Sequence, residues 1–322
     1  MSNELDIELQ QRGAEGLEYS SGAALRYAVE AAASNTRRAY RADWADFSAW
    51  CATKERQALP ASPVVLADYL AHLADSGLKA STIVRRCSGI ARAHRLAGHR
   101  SPLQGIARET LSGIRRTLGM SADQVAPITV GELRRMIEVA GEGLHGARDR
   151  ALLLIGFAGA LRRSELVGLN VGDLRDTNDG YLLTIRRSKT DQEGEGRTIG
   201  IPYGSRPETC PVRALRRWLE LAAITEGPVF RPIDRHDNVG GQRLSDRAVA
   251  LRVQELAKRA GLDPTRYAGH SLRSGLATAA AAAGVTEADI MRTTGHRSVA
   301  TLRRYVRPAT AFERNAASAV GL

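Results

Sequence analysis

The sequence predicts a mainly α-helical protein of two domains: a small all-helical one, then a larger, predominantly helical one carrying a small antiparallel sheet. Three observations predict it. Apolar residues recur at spacings of three and four between capping signals along most of the chain, two strand-like runs flank a polar, glycine-containing connection, and an aperiodic stretch at 119–127 divides the two regions. With 322 residues, 43% hydrophobic and 25% charged, the chain can bury two cores and is too apolar for wholesale disorder.

Residues 1–33 hold six acidic and two basic residues and are expected to form an acidic, flexible tail. A helix follows from Ser34, where Tyr40, Trp44, Phe47 and Cys51 fall on one face behind a Ser or Asn cap. Ser62 and Pro63 are a cap and a first-turn proline for a second helix, with Val65, Leu66, Tyr69, Leu70 and Leu73 as its buried stripe and Gly77 at its end. A third runs from Ser81 through Ile83, Val84, Cys87, Ile90 and Ala91 to Gly98, and a shorter one covers about 107–118. Together they make a helical domain over 34–118, and 119–127 (GMSADQVAP) reads as a linker.

The second domain, 128–322, opens with a capping box, Thr129 with Glu132, ahead of Met136 and Ile137. Residues 148–157 (RDRALLLIGF) read as a buried helix. Strands are expected at 180–186 (GYLLTIR) and 197–202 (RTIGIP), joined by the hairpin tip 187–196 (RSKTDQEGEG). Further helices are expected at about 210–223, 245–260, 271–283, 287–294, 298–306 and, after Pro308, 309–319. No run reaches the length of a spanning helix and the N-terminal segment is acidic, so a cytoplasmic protein is expected. Three cysteines without C-x-x-C spacing predict neither a disulfide framework nor a zinc site.

The formal charge is +11, and its cations are four lysines and 42 arginines. Arginine suits bidentate contact with phosphate, although the same bias also follows from genome base composition. The tail has net charge −4, residues 34–125 +7 and residues 126–322 +8. Residues 81–116 carry eight arginines, among them Arg85, Arg86, Arg92, Arg95, Arg115 and Arg116, against the single acid Glu109. They are candidates for contact with a nucleic-acid backbone, the alternative being a solvated helix face.

Seven histidines show no metal-ligand spacing, no acid cluster suits a Mg²⁺ ion, and no phosphate-binding G-x-x-x-x-G-K-[ST] loop occurs, so no metal and no cofactor is expected. A phosphodiester can still be attacked by a protein hydroxyl if cationic donors, a base and an acid are at hand. The second domain offers such a set in order: Arg162 in 159–166 (GALRRSEL), His270 and Arg273 in 269–273 (GHSLR), His296 in 294–297 (TGHR) and Tyr305 in 302–307 (LRRYVR). Arg303, Arg304 and Arg307 make the tyrosine's helix basic, so it should face a phosphate backbone.

GH-x-x-R opening a helix, then GH, then a tyrosine nine residues on resembles the tyrosine recombinase (phage integrase) family, over about residues 30–310, with 49–83 adding to the likeness. The resemblance implies a SAM-like core-binding domain of four to five helices followed by the mixed, mainly helical tyrosine recombinase catalytic domain with its small antiparallel sheet. It implies that Arg162 and Arg273 clamp the scissile phosphate, that Tyr305 attacks it to form a 3′-phosphotyrosyl link, that His270 is the base and that His296 donates to the phosphate. Some members carry tryptophan where His296 stands. Lys189, on the hairpin tip, is implied as the general acid for the leaving 5′-oxygen, and Glu165 as the acid that orients an active-site partner. The implied partners are double-stranded DNA with inverted-repeat half-sites and further copies of the chain: a dimer on one site, and a tetramer exchanging strands through a Holliday junction, locked by the C-terminal helix. An arm-binding domain is not expected in so short an acidic tail. Two other readings use the same residues, a DNA-relaxing enzyme of the same chemistry and a non-catalytic DNA-binding protein.

Overall fold

The structure is a computed structural model that describes residues 34–119, 125–186 and 196–309, with Tyr27 and Ala31. The expected acidic tail apart from those two residues, the hairpin tip carrying Lys189 apart from Gly196, and the C-terminal helix expected to begin at 309, apart from Ala309, lie outside the described residues. The chain divides into two compact units, Met1–Asp123 and Gln124–Leu322.

The first unit has helices α1 (Ser34–Thr53), α2 (Pro63–Asp75), α3 (Ala80–Leu96) and α4 (Ile106–Leu118). Ser62 caps α2 as expected, its hydroxyl accepting the Val65 N–H. Trp44, Phe47, Tyr69, Leu70, Ile83 and Ile90 fill one core, whereas Tyr40 and Val84 are only half-buried. Around that core several polar groups are paired, while Trp50 Nε1 and Arg86 Nε are buried without an acceptor. The Tyr69 hydroxyl donates to Asp46 at 2.5 Å and accepts from Arg86 at 2.9 Å, and buried His94 takes the Ala61 N–H at 2.9 Å.

The second unit begins with α5 (Val130–Glu138), opened by the expected capping box: Thr129 N–H donates to Glu132 Oε2 at 2.8 Å and Glu132 N–H to Thr129 Oγ1 at 3.2 Å. Next, α6 (Gly143–Ala158) starts five residues before the expected Arg148 and is buried almost all round. One of its sides packs on the sheet and α8, the other on α5, α9 and α10, so no polar face is left. A short helix α7 (Arg163–Gly168) follows. Strands β1 (Leu174–Thr177), β2 (Gly180–Ile185) and β3 (Arg197–Pro202) form an antiparallel sheet in that order, with Leu183 opposite Ile199 and Ile185 opposite Arg197. The sequence reading has no counterpart for β1, because Leu-Arg-Asp-Thr lacks alternation; it pairs with β2 at one edge of the sheet.

Helices α8 (Pro211–Leu221), α9 (Asp246–Arg259), α10 (His270–Ala282), α11 (Glu287–Thr294) and α12 (Val299–Ala309) complete the unit. Contrary to the expected break, α12 runs through Pro308 in its last turn, although proline has no N–H to give the helical ladder. Two larger cores share α6. A third, much smaller cluster of Ala277, Ala281, Ile290 and Leu302 docks α12 against α10 and α11, with Tyr305 packed at its rim.

Candidate active site

Three chain reversals bring the polar residues of the second unit together. After α6 the backbone turns through Ala160, held at φ 45° in the left-handed region that favours glycine, and delivers Arg162 to the N-cap of α7 in extended conformation. Three residues on, Glu165 points back. It is buried, its Oε2 accepts the Arg162 N–H at 3.0 Å and its Oε1 takes the Arg162 guanidinium. The same Oε2 accepts from Arg197 Nη2 at 3.2 Å. Glu165 is therefore a buried carboxylate shared by two guanidiniums.

Arg273 sits one turn into α10 and is 1% exposed. Its Nη1 donates to the Ala160 carbonyl at 2.8 Å, which gives the strained turn a purpose, while its Nη2 is a buried donor without an acceptor. An orphan N–H on a buried cation is where an anionic oxygen belongs. At the start of α10, His270 Nε2 lies 2.8 Å from Tyr305 Oη. At Gly269 before it, a Cβ would come within 2.4 Å of the Arg163 side chain, which would have to move.

Gly295 ends α11 at φ 66°, and a Cβ there would stand 2.5 Å from Arg197 Nη1. Both glycines of the two GH pairs thus have a steric cause. His296 then turns back, its Nδ1 2.8 Å from Thr294 Oγ1 and its ring stacked on Tyr305 with centroids 5.9 Å apart.

Positive charge exceeds negative here, and the ionisation equilibria register it. Burial, then the Arg162 charge, pull Arg273 down to about 10, with Arg197 adding to the effect and Glu165 opposing it. Burial, then Arg273, Arg162, His270 and Arg197, push His296 down to about 4. Burial also lowers Arg197. The pocket is built for a bound anion. Among the described residues no group of three or more His, Cys, Asp or Glu is placed to hold a metal ion.

Of the residues the sequence singles out, Arg162, Glu165, His270, Arg273, His296 and Tyr305 converge on this pocket. Lys189 lies outside the described residues. The sequence reading omits Arg197, Thr294 and the Ala160 carbonyl. A signal for Arg197 was available: alternation in RTIGIP puts it on the same strand face as buried Ile199 and Ile201.

In the first unit the arginines divide. Arg85 pairs with buried Asp43 and Arg86 with Asp46, so their charge is met within the unit. Arg92 and Arg95, with Tyr40, Ser101 and Arg108, line a groove of about 730 Å³, and Arg115 and Arg116 are exposed in the last turn of α4.

The sequence matches the phage integrase family over residues 127–311 and the N-terminal SAM-like domain of phage integrases over 26–100. The chain belongs to this family. An integrase/recombinase XerD homolog of Selenomonas ruminantium is 43% identical to the recombinase over 289 residues, covering 88% of this chain and 84% of the relative. Cre of Escherichia phage P1, whose N-terminal domain the stretch 49–83 resembles, is a more distant relative, 25% identical over 284 residues, 81% of this chain and 80% of its own. The fold is similar to that of XerH site-specific recombinase bound to palindromic difH substrate in a post-cleavage complex, with a TM-score of 0.59 at 19% identity over 81% of this chain and 72% of the other. Fold class and family therefore agree with the sequence reading: a SAM-like helical domain, then a mainly helical tyrosine recombinase unit with a small antiparallel sheet. It is an enzyme.

Proposed function

We propose that the recombinase cuts DNA with Tyr305 as nucleophile and stores the broken bond as a 3′-phosphotyrosyl link. The observation that carries this is the 2.8 Å contact between Tyr305 Oη and His270 Nε2, in a pocket where Arg273 Nη2 has no acceptor of its own. A phenol has a pKa near 10, so it needs a base within hydrogen-bond reach to attack at neutral pH. Tyr305 Oη attacks the phosphorus while its proton passes to His270. The bond from phosphorus to the 5′-oxygen breaks, and that oxygen leaves with a proton from Lys189. Arg162 and Arg273 hold the non-bridging oxygens, whose charge grows in the transition state. His296 adds a donor, and Glu165 fixes the Arg162 fork. Attack by the 5′-hydroxyl of another strand reverses every step, so the exchange consumes no high-energy cofactor.

The helical unit is proposed as the core-binding domain over 34–118, joined by 119–127 to a catalytic domain over 128–322. Arg92, Arg95, Arg115 and Arg116 are its proposed backbone contacts, with Arg85 and Arg86 reaching DNA only from within their ion pairs. The palindromic substrate of the XerH complex supports inverted half-sites here. A dimer on each site and a tetramer at synapsis, resolving a Holliday junction, follow from that symmetry. Among the described residues no helix is long and apolar enough to cross a membrane, and the proposed place of action is nucleoid DNA in the cytoplasm.

The test is covalent capture from a randomised duplex library. Wild type should yield a protein–DNA adduct at one recurring sequence, and Tyr305→Phe none. An adduct with the phenylalanine variant would refute the nucleophile. Joint molecules between two duplexes bearing the captured sequence are expected as well; relaxed topoisomers without them would favour a relaxing enzyme.

A further inference from the structure

Arg197 opens β3, and its side chain lies on the strand face that Ile199 and Ile201 bury. Its fork is divided between two elements. Nη2 donates to Glu165 Oε2 at 3.2 Å, and Nη1 donates to the Thr293 carbonyl at 2.8 Å. The first contact completes the set of donors around Glu165, which in turn takes both the backbone N–H and the guanidinium of Arg162. The second holds a carbonyl of the last turn of α11, where intrahelical donors run out and a cation is favoured. Directly after that carbonyl come Thr294, bonded to His296, and Gly295, where any side chain would strike the Arg197 guanidinium.

We propose that Arg197 is a positioning residue for strand cleavage, fixing Arg162 through Glu165 on one side and His296 through the end of α11 on the other. The inference rests on the reading of Arg162, His296 and Tyr305 given above. Arg197 need not touch DNA. Its role is to keep two phosphate-holding groups, carried by helices far apart in sequence, at a fixed separation. Lysine has one ammonium on a flexible stem and cannot serve both partners with a rigid fork.

The test uses full-length protein and a nicked duplex carrying the sequence that wild type captures from the library. Single-turnover capture at saturating DNA and affinity for the same duplex are measured for wild type, Tyr305→Phe, Arg197→Met and Arg197→Lys. Displacing reacting groups by about 1 Å costs on the order of 100-fold, so Arg197→Met should slow capture by roughly that factor with unchanged affinity. Arg197→Lys should recover part of the rate, leaving it about tenfold slow. A wild-type rate in folded Arg197→Met, or a parallel fall of rate and affinity, overturns the inference. Should the methionine variant fail to fold, the lysine variant decides by the same criteria. No capture by wild type, or capture by Tyr305→Phe, removes the reading of the site itself; a normal rate in Arg197→Met with both controls intact removes only the role of Arg197.

Discussion

Thr294 Oγ1 lies 2.8 Å from both the Ile290 carbonyl and His296 Nδ1. With its one proton on the carbonyl, it accepts from His296 Nδ1 and a neutral ring offers a bare Nε2. In that tautomer His296 donates to a phosphate only as the imidazolium, which burial and the cations Arg273, Arg162, His270 and Arg197 oppose. An NMR titration of the DNA-free protein should show this ring half-protonated near pH 4, against an ordinary 6.5, and the midpoint should rise when Tyr305→Phe is bound to DNA. A DNA-free midpoint at the ordinary value would contradict the crowded-cation account. Between those two pH values the unfolded chain binds a proton that the folded one refuses, so stability falls as pH drops from about 6.5 to about 4. His296→Gln should flatten that part of the curve. At Gly295 the φ of 66° and the neighbouring guanidinium both disfavour a side chain, so Gly295→Ala should cost about 1–3 kcal/mol by chemical denaturation and slow capture as well. Most of the clustered residues were legible, because the order and spacing of the arginines, histidines and tyrosine along the chain resemble those of the tyrosine recombinase family. Arg197 was not, since a lone arginine at the start of a strand reads as an edge cation until its isoleucine neighbours are given a side.

Elements differ in how firmly they are held. The capping box at the start of α5 is tied to the segment that carries His270, since Ile128 N–H donates to the Ser271 carbonyl at 3.1 Å and the Tyr267 hydroxyl to Glu132 at 2.7 Å, and Thr129→Ala should lower stability by about 1 kcal/mol in urea unfolding. In contrast, α12 rests on a cluster of four buried residues, two of them alanine, and on fully buried Leu302 above all. Leu302→Ala removes about 2–5 kcal/mol of packing, more than so small a cluster can absorb. Amide exchange in α12 should accelerate strongly and capture should fall, while the melting of the unit moves little; unchanged exchange would count against weak docking. The long helices were legible from caps and periodicity. By comparison, α7 has six residues and β1 four, too few for any period to emerge, and both are fixed by neighbours instead, α7 by the buried Glu165 and β1 by its pairing with β2. The early start of α6 was hidden for a related reason: Gly143, Gly146 and His145 are weak helix formers that tertiary burial overrides.

Charge acts over the whole molecule. Both bodies of the chain are basic, +7 over 34–125 and +8 over 126–322, and phosphate neutralisation releases counterions from DNA. Affinity should therefore fall linearly on a log–log plot against salt, with a shallower slope for Arg115→Gln than for Arg86→Gln, because Arg86 already faces Asp46. Equal slopes would mean that the intramolecular pair opens to the duplex. Finally, α6 contributes Leu152 and Ile155 to one core and Leu153, Leu154 and Phe157 to the other, on interleaved positions of a single rod. Neither half of that unit can melt and leave its companion standing. Heat should thus dismantle it in one cooperative step, and an insult placed among the sheet residues should loosen the grip on α10 as surely as one placed beside it.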